Sequence, residues 1–120
     1  MQPSYGLNDT EIERMLEESI EYAEEDFAER QLIEARNEAE NMLHVTEKAL
    51  ASEAAAELDN EERNRIVAGV SLLRAAMEGK DYKLVRARID ELNRVSMHLA
   101  ELMMNRALEM AVQGKRLDQV

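Results

Sequence analysis

The chain has no cysteine and no tryptophan, one proline, four glycines, and only three tyrosines and one phenylalanine in 120 residues. Without cysteine there is no disulfide scaffold, no zinc–thiolate site and no redox motif. Basic residues are outnumbered 15 to 26 by acids, leaving a formal charge of −11. Nucleic-acid binding needs clustered Lys and Arg to displace counterions from phosphates, so nucleic acid is excluded as a partner class. Long apolar runs are missing too. Stretches such as Ala54-Ala55-Ala56 and Leu102-Met103-Met104 fall far short of the roughly 20 residues of a membrane span. The start, Met1-Gln2-Pro3-Ser4-Tyr5, lacks the basic and apolar regions of a signal peptide, so a cytoplasmic setting is expected. What is present is 45% hydrophobic residues, carried by Ala, Leu, Met, Val and Ile. That supply suits helices and not sheets, and the fold class expected is all-α. The shortage of aromatics also argues against a small-molecule pocket.

Residues 1–7 read as an extended lead-in, because Pro3 and Gly6 oppose helix. Asn8 and Glu11 then form a capping-box pattern, with Leu7 and Ile12 at the staple positions. No Gly or Pro occurs from Leu7 to Ala68. Ile12, Met15, Leu16, Ile20, Ala23 and Phe27 keep helical spacing, and Leu32, Ala35, Ala39, Met42, Thr46 and Ala49 continue it as a heptad-like seam. A straight helix over residues 9–57 would be about 70 Å long, so the segment must bend or project. A bend is expected near Tyr22–Asp26, where the stripe thins. Asp59 and Glu62 open a second helix, with Ile66, Val67, Val70, Leu73 and Met77 on one face and a left-handed Gly79 at its end. Asp81 caps a third, through Val85, Ile89, Leu92, Ser96, Leu99 and Met103, closed by Gly114. The short connections make neighbouring helices antiparallel. The expected architecture is a long bent N-terminal helical segment leading into a small antiparallel bundle over residues 8–113, with 114–120 as a flexible tail. The first stretch of that segment has an apolar face with no partner within the chain.

The sequence offers no catalytic constellation. Acidic pairs such as Glu17-Glu18 and Glu61-Glu62 read as solvated helix faces. A di-iron bundle needs Glu-x-x-His pairs. His44 and His98 instead have Asn41 and Val95 at that offset, so no metal site is expected. No serine sits in a glycine elbow, and no Gly-rich loop can cradle phosphate. The cluster Met97, Met103, Met104 and Met110 reads as core filling, with an adaptable binding surface as the lesser reading. His44 lies one turn after Glu40 on a helix with docking potential.

The segments Leu7-Asn8-Asp9-Thr10-Glu11-Ile12-Glu13-Arg14-Met15, Ala23-Glu24-Glu25-Asp26 and Ala35-Arg36-Asn37-Glu38-Ala39-Glu40-Asn41-Met42-Leu43-His44 resemble the C-terminal helical lid of the DnaK-like seventy-kilodalton heat-shock chaperones. The resemblance spans Leu7 to Val112, most specifically in Arg36-Asn37 and Leu43-His44. Pro3-Ser4-Tyr5-Gly6-Leu7 and the ending Gly114–Val120 are similar to the iron–sulfur-cluster branch, the HscA type.

The resemblance implies a lid that closes over a peptide groove and slows client release. Ile12, Met15, Leu16 and Ile20 would be the docking face on a β-sandwich, and Glu40 and His44 the latch. Family members usually carry Asp where this chain has Glu40. The resemblance further implies ATP in a nucleotide-binding domain outside this sequence and no cofactor or enzyme activity in this part. The implied partners are the chain's own β-sandwich and nucleotide-binding domain, client peptides including an iron–sulfur scaffold protein, and a J-type co-chaperone. Met1 ahead of a mid-domain motif implies an excised piece, whose first helix should either fray or pair with another copy. The alternative is a free-standing helical oligomerisation or adaptor protein that pairs through the Leu32–Ala49 seam.

Overall fold

A computed structural model of the chain describes residues 8–118, with side chains described as far as Gly114. The lead-in expected over residues 1–7 lies outside the described residues. Four helices follow in order: α1, Asp9–Leu50; α2, Asn60–Glu78; α3, Tyr82–Val95; and α4, Met97–Asp118. A short 3-10 turn, Glu53–Glu57, lies between α1 and α2. Among the described residues there is no strand, so the all-α expectation holds.

Each expected helix start is built by its own cap. Asn8 Oδ1 accepts the Glu11 amide at 2.8 Å, and Asp59 Oδ1 accepts the Glu62 amide at 2.8 Å. Asp81 Oδ1 accepts the Lys83 and Leu84 amides. These bonds satisfy amides that the first helical turn leaves without partners.

The stops differ from expectation. α1 runs as one uninterrupted helix through Tyr22–Asp26, so the chain does not break there and the helix projects from the bundle. Glu is a good helix former, its carboxylates stay in water, and Asp26 pairs with Arg30 one turn on at 3.1 Å. The same helix ends earlier than the Leu58 boundary, at Leu50. There Ser52 turns extended and its Oγ donates to the Ala49 carbonyl at 2.6 Å. Ala54 and Ala55 are then buried, Ala55 within the core cluster. Gly79 does end α2, but at φ −86° and ψ −176° it is extended and not left-handed. The third stretch is broken at Ser96, which separates α3 from α4. Gly114 closes nothing, since α4 continues to Asp118. A helical glycine costs only about 1 kcal/mol against alanine, and good helix formers flank it here.

The core lies where α1 from Ala35 onward meets α2 and α3. Ala35, Ala39, Leu43, Thr46 and Ala49 are buried on α1, facing Ile66 and Leu73 of α2 and Val85, Ile89 and Leu92 of α3. The seam of α1 is thus filled by the chain's own helices, which removes it as a pairing surface for a second copy. α2 runs against α1, and α3 runs back alongside it. At the α2–α3 crossing, a Cβ on Gly69 would stand 3.1 Å from Leu92 Cδ1, so glycine there lets the two backbones come close. Val67, expected inside, is half exposed.

The methionine cluster does not fill the core. Met97, Met103, Met104 and Met110 of α4 are all exposed, whereas Leu99 takes the buried position. The result is a rod of 94 × 36 × 16 Å, with the first turns of α1 free of the bundle at one end.

Candidate docking surfaces

Two surfaces carry the side chains singled out by the sequence. The first is the projecting part of α1. Ile12, Met15, Leu16 and Ile20 are 44%, 53%, 59% and 58% exposed, respectively, although all are large and apolar. At about 100° per residue they fall on one stripe. The stripe reaches the bundle only at its end, where the Phe27 ring meets the Tyr82 ring edge-on at 6.3 Å between centroids. Tyr82 and Lys83 there border a shallow groove shared with Ile20 and Ala23. The projecting segment is also strongly acidic: from Asp9 to Glu29 there are ten Asp and Glu residues and one basic residue, Arg14.

The second surface is the face of α1 that carries Glu40 and His44. Both side chains are exposed and lie one turn apart. They rim an open groove between α1 and α2, with Leu43 and Met77 at its base and the Glu47–Arg74 ion pair on its wall. The groove is held by a residue whose role the sequence did not disclose. Arg36, one turn before Glu40, donates from Nε to the Met77 carbonyl at 3.0 Å and from Nη2 to the Gly79 carbonyl at 2.8 Å. The last turn of α2 contains no basic residue of its own. Arg36 therefore supplies, from another helix, both the donors and the positive charge that a helix C-terminus favours.

Further ties hold α3 and α4. Arg86 of α3 donates to Gln31 Oε1 at 2.9 Å and pairs with Glu34 and Glu38 along α1. His98 Nδ1 lies 2.5 Å from Glu62 Oε2, joining the start of α4 to the first turn of α2. The hydrogen bond to Glu62 raises the His98 pKa above its ordinary value; desolvation opposes it, and the charges of Glu62, Glu101 and Asp59 add to the rise. Farther along α4, Arg106 pairs with Glu53 at 2.6 Å. No helix among the described residues is long and apolar enough to cross a membrane.

The described residues form a helical bundle with a projecting, apolar-striped helix. The family model described as "Hsp70 protein" matches residues 1–105. The chain belongs to the Hsp70 family. Within it the similarity is to HscA-type chaperones. A "Chaperone protein HscA homolog" from Azoarcus sp. (strain BH72) is 40% identical over 99% of this chain. Proteins of the same name from Methylococcus capsulatus and Ralstonia pickettii are each 35% identical, over 98% and 100% of it. The chain spans only about a fifth of these relatives' length, 19% in each case. Hsp70 membership covers both surfaces, the α1 stripe and the Glu40–His44 face.

Proposed function

We propose that this chain is the helical lid of an HscA-type Hsp70 chaperone. In this reading the α1 stripe, Ile12, Met15, Leu16 and Ile20, packs on an adjoining β-sandwich. Glu40 and His44 latch the bundle over the peptide groove and slow client release. ATP would bind and be hydrolysed in a nucleotide-binding domain outside this sequence, which would control opening of the lid. The clients would include a scaffold protein of iron–sulfur cluster assembly, and a J-type co-chaperone would act through the missing domains. The observation that carries the reading is the exposed stripe on a chain matched to Hsp70 over residues 1–105. Four large apolar side chains in water, in a family whose relatives are some five times longer, call for a covering surface within the whole protein.

The latch is tested by Glu40→Ala/His44→Ala, measured twice. In the isolated chain the change should barely alter melting, because exposed polar groups contribute only ~0–1 kcal/mol. In the full-length chaperone, losing about 1–2 kcal/mol of closed-state contact should speed peptide release roughly 5- to 30-fold. Unchanged release with a lowered melting temperature would make the pair structural and end the latch assignment.

A further inference from the structure

The charges around the α1 stripe say what kind of surface covers it. On the helical wheel, Glu13, Glu17 and Glu24 border the Ile20 edge of the stripe, and Glu11, Glu18 and Glu29 follow along its other side. All six lie on α1, and none of the described ion pairs engages them. A second copy is a poor occupant. Two such stripes laid together would bring acidic rims against each other at the edge of an apolar contact, where like charges are costly. We infer that the projecting part of α1 is built to dock on an apolar surface rimmed with Lys and Arg. This deepens the lid reading, and rests on it in assigning that surface to the adjoining β-sandwich. It also makes docking sensitive to salt, because rim charges act through water and are screened.

The test uses the 120-residue chain and short synthetic helical peptides of defined composition. A Leu/Lys amphipathic peptide should bind, while a Leu/Glu peptide and a Ser/Lys peptide should each bind at least about tenfold more weakly. Raising NaCl to about 0.5 M should weaken the Leu/Lys complex by a similar factor. Because any acidic protein attracts lysines, two equal charge changes are compared. Glu13→Gln/Glu24→Gln on the rim should weaken binding several-fold. Glu21→Gln/Glu25→Gln on the far side of the same helix should leave it nearly unchanged. Leu16→Gln/Ile20→Gln should abolish binding, whereas Met104→Gln/Leu108→Gln on α4 should not. Equal loss from the rim and far-side pairs, or equal binding of the Leu/Glu peptide, would overturn the inference. The lid reading has its own outcome in the peptide-release experiment. Rim-dependent binding with unchanged release would sink the latch alone, and the converse would sink the basic rim alone.

Discussion

The two halves of α1 are one uninterrupted helix with opposite surfaces. Before Phe27 the large apolar residues lie in water, as Ile12, Met15, Leu16 and Ile20 show. After it, three of the five buried residues of α1 are alanine, and Ala35 and Ala39 are completely buried. Small side chains let α2 and α3 lie close along the second half, which anchors the helix. Large ones on the first half stay exposed, and in the lid reading they are the face that docks. Buried alanines on one half and large exposed side chains on the other mark off the part that holds the bundle from the part that reaches away from it.

The contrast is tested most strongly by truncating one leucine from each region. Leu73 is fully buried against the seam, so Leu73→Ala should cost about 2–5 kcal/mol through lost burial and the cavity left behind. Leu16 is 59% exposed, and Leu16→Ala should stay within about 0.5 kcal/mol in the isolated chain. Urea unfolding of both variants measures the difference directly. Comparable losses would mean that the projecting half is packed in solution and that the contrast between the halves is wrong.

The parts of this fold legible in the sequence were those set by local chemistry. Asn8, Asp59 and Asp81 each cap the helix their spacing marks, because a capping bond needs only the next two or three residues. The α1 seam was legible for the same reason, through its period. Helix ends were harder. Leu50 and Ser96 stop helices without Gly or Pro, and they do so because buried Ala54, Ala55 and Leu99 must reach the core. That requirement belongs to tertiary packing and leaves no local mark. The same holds for the methionines of α4: their spacing fits a buried stripe, but Leu99 and Leu102 occupy the side that faces inward. Of the candidate surfaces, the exposed stripe was legible as an apolar face in excess of what the bundle could cover. Arg36 was legible only as part of a family signature, since its acceptors lie 41 and 43 residues away.

Arg36 gives the next largest expected effect and sharpens the boundary between the halves. Arg36→Ala removes two charge-assisted hydrogen bonds and leaves the Met77 and Gly79 carbonyls without that donor, which should cost about 1–3 kcal/mol. Arg36→Lys should recover only part of this, because one ammonium cannot reproduce the planar fork that serves two carbonyls. Amide exchange should then quicken at the end of α2, with little change before Phe27. Faster exchange spread evenly along α1 would show that the two halves are not independent.

The smallest effect is electrostatic and confined to the bundle. His98 is half exposed, and its raised pKa comes first from the hydrogen bond to Glu62. A histidine whose folded pKa exceeds the unfolded value of 6.5 contributes stability that is fully present below that value. The contribution falls away as pH rises through the higher folded value, when the imidazole loses its proton and the ion pair its charge. The melting temperature of the wild type should therefore drop relative to His98→Gln as pH is raised from slightly acidic to alkaline conditions. Glu62→Gln should flatten that difference, since it removes the carboxylate that raises the pKa. Neither change should alter the projecting half of α1, which lies at the far end of the rod from α4. A wild-type curve parallel to that of His98→Gln across this range would show that the pair contributes nothing in solution, and that α4 is held by Leu99 and the Arg106–Glu53 pair instead.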